Sequence, residues 1–165
     1  MATLGNTTVG TSNTGRGQDL IEVSKFTLSQ AGVVGSMSWY GNTQTVAVNM
    51  RCCLYADTSG SAGALMGSTS EVSINSVTPQ WWNFTGPTVT LNSGTYWLGF
   101  NQSGTASVDF YFNDVVAQAR TKTATYPGFT DPLGAQGTAD HDLSIYATYN
   151  PAQRIYRKDL VKICH

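Results

Sequence analysis

Alternation of apolar and polar side chains constrains the fold of this chain more than any other feature. In segment 46–56 every second residue is apolar: Val48, Met50, Cys52, Leu54 and Ala56. A period of two is typical of a β-strand with one buried face. The same period recurs in segments 80–84, 95–100, 108–113 and 142–149, with turn residues between them. The chain therefore predicts antiparallel β-structure throughout.

The strand spacing predicts the architecture. About eight to ten strands follow one another at intervals of roughly 8 to 12 residues, with no long amphipathic helix between them. This spacing predicts an all-β fold, a two-sheet antiparallel β-sandwich with a jelly roll as the favoured topology. We expect residues 1–151 to form this sandwich. Its core is expected to comprise Val48, Met50, Leu54, Trp82, Phe84, Tyr96, Leu98, Phe100, Leu143 and Ile145.

Composition favours a location outside the cell. Thr, Ser, Asn and Gly make up 64 of the 165 residues, whereas only 19 are charged. Hydroxyl and amide groups therefore keep the exterior hydrated, as is common in secreted and cell-surface β-proteins. The first ten residues have neither the cationic start nor the apolar run of a signal peptide, and no stretch is long enough for a membrane span.

The charges are unevenly distributed. Four of the nine Lys and Arg residues lie in segment 154–162, so residues 152–165 form a basic tail. This tail is interpreted as an appended edge strand, a partner-binding arm or vector-derived sequence. The five remaining cations are scattered and cannot neutralise a row of phosphates, which argues against a nucleic acid partner.

Three cysteines leave one question open. Cys52 and Cys53 are adjacent on a predicted strand and should point to opposite faces. We expect Cys52 in the core and Cys53 as a surface thiol. A disulfide between Cys53 and Cys164 is an open alternative.

Three segments carry a resemblance to a known group of modules. They are segment 54–66 (LYADTSGSAGALM), segment 93–100 (SGTYWLGF) and segment 143–149 (LSIYATY). These segments resemble jelly-roll β-sandwich modules of secreted and cell-surface proteins from bacteria and archaea, over residues 4–151. Such modules are similar in architecture to carbohydrate-binding domains, and most have no assigned function. The resemblance implies a non-catalytic binding or spacer role.

Aromatic residues are the first candidates for binding. Alternation places Trp81 and Asn83 on the outer face of their strand, and Trp97 opposite an inward set. Exposed rings can stack on sugars while amides and carboxylates bind the hydroxyl groups. We therefore predict a polysaccharide-binding platform of Trp81 and Trp97, and a ligand-binding set of Trp81, Trp97, Asn83, Tyr111 and Tyr146. The open alternative is that both tryptophans are buried in a second layer or beneath a loop.

An acidic turn is the second candidate. Asp140 and Asp142 flank His141 where a long loop ends and a strand begins, and Asp109 and Asp114 supply further oxygen atoms. Carboxylate oxygens favour calcium, whereas His141 favours a transition metal. A solvated turn with local hydrogen bonds is the alternative.

Three functions remain open at the level of sequence. The first is a non-catalytic extracellular module that binds carbohydrate. The second is a structural or self-assembling surface module, in which the lead-in 1–17 and the basic tail join copies into a homo-oligomer. The third is a small glycoside hydrolase or esterase. Its carboxyl pair would be Glu22 with Glu71, or either one with Asp19.

Overall fold

The computed structural model describes residues 1–104 and 106–152, and the proposed basic tail beyond Ala152 lies outside this part of the chain. The described residues contain no helix and form twelve strands. These are β1 (Ala2–Gly5), β2 (Ser12–Arg16), β3 (Leu20–Leu28), β4 (Gly32–Thr43), β5 (Val48–Thr58), β6 (Ser61–Ser68), β7 (Val72–Ile74), β8 (Gln80–Leu91), β9 (Gly94–Gln102), β10 (Val108–Thr123), β11 (Gly137–Leu143) and β12 (Ile145–Pro151). The predicted all-β fold is confirmed.

One long strand connects the two halves of the sheet. The strand order is β1-β12-β4-β10-β3-β9-β5-β6, and all pairings are antiparallel. The beginning of β10 pairs with β4, and its end pairs with β3. The first layer thus contains β1, β12, β4, β8 and β2, and the second contains β3, β9, β5, β6 and β7. We use "first layer" and "second layer" for these two sets.

The main core lies between the layers. Trp39 of β4 packs against Phe100 of β9 with ring centroids 5.5 Å apart, and Phe110 of β10 lies 5.7 Å from Phe100. All ten residues predicted for the core belong to this cluster, nine as buried members and Trp82 as a partly buried neighbour. Their inward positions follow from the alternation of the strands.

A second hydrophobic cluster covers the outer face of the second layer. Segment 124–136 folds over β3, β5 and β9 and inserts Leu133, which is 1% exposed. Tyr55 and Trp97 are fully buried beneath it. Cys53 is also fully buried, so its prediction as a surface thiol is wrong. Cys164 lies outside the described residues.

Tight turns connect the strands where the sequence supplies suitable residues. Ser59 and Gly60 join β5 to β6, and both have positive φ, 52° and 83°. Two positive φ angles define the turn type that matches the twist of a hairpin.

Segment 115–120, which the sequence leaves undecided between strand and helical turn, belongs to β10 and contains a bulge. No helix in the described part of the chain is long and apolar enough to cross a membrane.

Candidate functional site

Four aromatic side chains meet on the outer face of the first layer. They come from four strands and are Tyr40 of β4, Trp81 of β8, Tyr111 of β10 and Tyr146 of β12. Each is half-buried. Each also alternates with residues of the main core, as Tyr111 does between Phe110 and Phe112. We call this group the aromatic face.

The rings form one continuous contact chain. The Tyr40 ring lies 5.3 Å from Trp81 and 5.1 Å from Tyr111, measured between centroids. The Trp81 ring lies 5.1 Å from Tyr146. Neighbouring ring planes are inclined by 62° to 84°, an edge-to-face arrangement that aromatic pairs prefer. The result is a ridged aromatic surface rather than a flat one.

Backbone contacts determine which rings become neighbours. Tyr40 and Trp81 are direct cross-strand partners. Ser144, between β11 and β12, donates its N–H to the Tyr111 carbonyl and accepts the Tyr40 N–H, at 2.8 and 3.0 Å. This single residue therefore aligns β10 and β4. Gly5 of β1 has φ +115°, and a Cβ there would lie 2.8 Å from the Cα of Tyr146. A side chain at position 5 would displace the strand that carries Tyr146.

Hydrogen-bonding side chains border the aromatic face. Asp109 lies on the same side of β10 as Tyr111, and it accepts Gln44 Nε2 at 2.7 Å and Asn42 Nδ2 at 3.3 Å. A Cβ at Gly15 would lie 2.8 Å from Gln44 Nε2, so a side chain there would require the Gln44 amide to shift. On the other side of the aromatic face, Asn83 accepts the Ser38 hydroxyl at 2.7 Å and is itself exposed.

The pKa of Tyr111 is affected by its position on the aromatic face. Desolvation, followed by the neighbouring Tyr40 and Asp109, raises the pKa of Tyr111 above its usual value. Its phenol therefore remains a neutral hydroxyl, able to donate and accept hydrogen bonds, over the physiological pH range.

The structure brings together four of the five residues predicted to bind ligand. Trp81, Tyr111 and Tyr146 belong to the aromatic face, and Asn83 lies two residues along β8 from Trp81. Trp97 does not join them, so the predicted Trp81–Trp97 platform is wrong, and the open alternative of burial beneath a loop holds for Trp97. The Trp97 ring is fully buried under segment 124–136, and its indole N–H is donated to Asp57 Oδ1 at 2.8 Å.

Sequence reasoning missed Tyr40, Asn42 and Gln44. Tyr40 and Asn42 stand at alternate positions of β4, on the side opposite to Trp39. Alternation around Trp39 was therefore the signal that could have identified them. Their neighbours could not be identified in that way, because register between distant strands has no local signature.

The predicted metal ligands do not converge. Within the described residues, no three His, Cys, Asp or Glu side chains gather into a group that could hold an ion. Asp140 accepts the Ala117 N–H at 2.8 Å, and Asp114 accepts the Ser12 hydroxyl at 2.8 Å. Asp109 accepts hydrogen bonds from the side-chain amides of Asn42 and Gln44, as described above. Asp142 is half-buried, and desolvation raises the pKa of its carboxyl.

A buried ion cluster lies at the edge of the main core. The Glu22 carboxylate is fully buried, accepts Arg16 Nε at 2.5 Å and contacts His141 Nδ1 through its other oxygen. The His141 ring packs on Phe112 with centroids 4.0 Å apart. Because Arg16, Glu22 and His141 belong to β2, β3 and β11, the cluster fastens three strands together.

The predicted catalytic carboxylates all make contacts within the fold. Glu22 is enclosed within the ion cluster, and Glu71 accepts the Tyr126 hydroxyl at 2.6 Å on the surface of the second layer. Asp19 accepts the Tyr126 backbone N–H at 2.7 Å. These contacts account for Glu22, Glu71 and Asp19 as groups that hold β2 and segment 124–136 in place.

Comparison with known proteins provides no assignment, since no protein-family model and no curated protein matches the chain.

Proposed function

We propose that this chain is a non-catalytic module that binds glycans on its aromatic face. The observation that carries the proposal is the contact chain Tyr111–Tyr40–Trp81–Tyr146, with exposed Asn83 at one side and the Asp109 cluster at the other. Aromatic rings with a few oriented polar groups around them are the usual lining of small-molecule sites.

The chemistry of sugars fits this combination. One side of a pyranose ring presents C–H groups that pack on aromatic rings, and its rim presents hydroxyl groups that require hydrogen-bonding partners. Asn83, Asp109 and the Tyr111 hydroxyl supply such partners beside the rings. Half-buried aromatic residues also lose little conformational entropy on binding, because their neighbours already restrict them.

The inclination of the rings favours single glycan chains over crystalline surfaces. A flat polysaccharide crystal would require ring faces in one plane, whereas adjacent planes on the aromatic face differ by at least 62°. Soluble oligosaccharides are therefore the appropriate probes. Secretion and self-association, which the sequence also predicts, are separate proposals that this site does not require.

A glycan microarray followed by calorimetry tests the proposal. We expect the purified chain to bind a subset of soluble oligosaccharides, and Trp81→Ala to weaken binding of the best ligand at least about tenfold, the equivalent of about 1.4 kcal/mol. Tyr126→Ala is the matched control, because it truncates a half-buried aromatic side chain on the second layer. Asn83→Ala should also weaken binding, and Asn92→Ala, in the exposed turn after β8, is its control.

Three results would overturn the proposal. The first is the absence of binding to every glycan on the array. The second is a Trp81→Ala variant that melts like the wild type and binds the best ligand equally well. The third is an equal loss of binding in Trp81→Ala and Tyr126→Ala, which would exclude the aromatic face as the site.

A further inference from the structure

Asp109 gives the aromatic face a fixed negative charge. Its two oxygens accept different amide groups, Oδ1 from Gln44 and Oδ2 from Asn42. Asn42 is itself buried, at 6% exposure, and it also donates to the Thr43 carbonyl at 3.1 Å. Both oxygens of the carboxylate are therefore anchored by amide groups beside Tyr111.

The Lys and Arg side chains among the described residues all make contacts away from the aromatic face. Arg16 turns inward to Glu22, and Arg51 donates to Thr69 and Ser68 at the second layer. Lys25 and Arg120 lie over the Trp97 ring, 5.8 and 5.0 Å from its centroid. Lys122 lines a surface cavity of about 340 Å³ with Leu20 and Ala135. Among residues 1–104 and 106–152, these are all the Lys and Arg side chains.

The aromatic face is thus anionic, with no described Lys or Arg to compensate Asp109. A uronate, sialate or sulfate group bound there would meet a like charge at close range. Two like charges about 4 Å apart repel one another about four times more strongly near a protein surface than in bulk water. A neutral sugar carries no such penalty, and its hydroxyl groups can donate to the carboxylate.

We infer that Asp109 is a specificity-determining residue that restricts the aromatic face to neutral glycans and rejects acidic ones. This inference rests on the proposed function. The inference concerns the choice among glycans, whereas the proposed function requires only that glycans bind.

Matched glycan pairs test the inference. The probes are N-acetyllactosamine with and without a terminal sialate, and galactan oligomers against galacturonan oligomers. For the pair whose neutral member binds best, we expect the wild type to bind the acidic member at least roughly tenfold more weakly. Asp109→Asn should raise the ratio of acidic to neutral binding by a similar factor. Salt should weaken the wild-type discrimination, because it screens exposed charges.

Asp114→Asn is the matched control. It makes the same change of net charge on the same strand, but Asp114 contacts Ser12 rather than the aromatic face. We expect its acidic-to-neutral ratio to equal that of the wild type. Equal wild-type binding of both members of a pair, an unchanged ratio in Asp109→Asn, or the same change in Asp114→Asn would overturn the inference and leave glycan binding intact. Failure of the wild type to bind any glycan would instead overturn the proposed function and the inference with it.

Discussion

Glu22 shows how a charged residue can belong to a core. Its carboxylate is fully buried at the edge of the main core, where Arg16 and His141 contact its two oxygens. Removing a carboxylate from water is costly, and strong pairing offsets this cost only while both partners are present. The ion cluster therefore makes the attachment of β2 and β11 depend on one side chain. The sequence offered no signal for it, because Arg16 and His141 are far apart along the chain.

Glu22→Gln should destabilise the fold by about 3 to 5 kcal/mol, because it leaves Arg16 partly buried without a counter-charge. Urea denaturation measures the free energy of unfolding. Glu71→Gln is the control, since exposed Glu71 only accepts the Tyr126 hydroxyl and should cost about 1 kcal/mol or less. Similar losses in the two variants would contradict the role assigned to the ion cluster.

The Asp142 carboxylate, unlike that of Glu22, lowers the stability of the fold at neutral pH. Desolvation raises the pKa of its carboxyl, so the folded chain binds this proton more tightly than the unfolded chain. The stability that this group contributes is complete at acidic pH, below the ordinary pKa, and is lost as the pH rises through the raised pKa. Its Oδ1 is buried without a hydrogen-bond partner among the described residues.

We expect Asp142→Asn to raise the melting temperature at pH 7 by about 1 to 3 °C, since the site retains solvent contact and 1 kcal/mol corresponds to about 2 to 4 °C for a domain of this size. Near pH 3, where Asp is protonated in both states, the two proteins should melt together. Thermal unfolding from about pH 3 to pH 7 checks this. Asp140→Asn, an equal charge change in an exposed position, should not reproduce the pH-dependent gain.

At the scale of elements, segment 124–136 acts as a third layer over part of the second. Its contacts are specific: the Leu133 N–H is donated to the Gly63 carbonyl at 2.9 Å, and the Tyr55 hydroxyl is donated to the Thr130 carbonyl at 3.0 Å. The sequence predicted an irregular loop here but not its destination, because a loop has no periodicity that reveals what it covers. For that reason the sequence places Cys53 wrongly at the surface, and it leaves burial of Trp97 beneath a loop as an open alternative.

Leu133→Ala should cost about 2 to 5 kcal/mol, the range for truncating a buried leucine, because it leaves a cavity above Trp97 and Tyr55. Chemical denaturation gives the free energy. Val77→Ala serves as control, since Val77 is 62% exposed and should change stability by less than about 0.5 kcal/mol. A Leu133→Ala variant as stable as Val77→Ala would show that the segment does not seal the second cluster.

At the scale of the whole molecule, the outer faces of the two layers differ in how far they are covered. Both carry aromatic residues at alternate strand positions, and the sequence could not distinguish them. Segment 124–136 covers part of the outer face of the second layer, whereas the outer face of the first layer retains half-buried rings beside exposed Asn83. The inward faces were predictable because alternation of apolar residues can be read within each strand. All ten residues predicted for the core belong to the main core. The aromatic face was predictable only in part, since its cross-strand register depends on Ser144 and on the passage of β10 between layers.

Phe100 connects the two layers of the molecule. Its ring, fully buried on β9, contacts Trp39 of the first layer and Phe110 of the connecting strand. Phe100→Ala should reduce the free energy of unfolding by about 3 to 5 kcal/mol, because the cavity would separate the layers and the connecting strand at once. Urea denaturation measures the loss, and Val116→Ala, at an 85% exposed position of β10, gives the baseline for an apolar truncation. A loss below about 1 kcal/mol would mean that Phe100 does not join the layers, and the core described here would have to be reassigned.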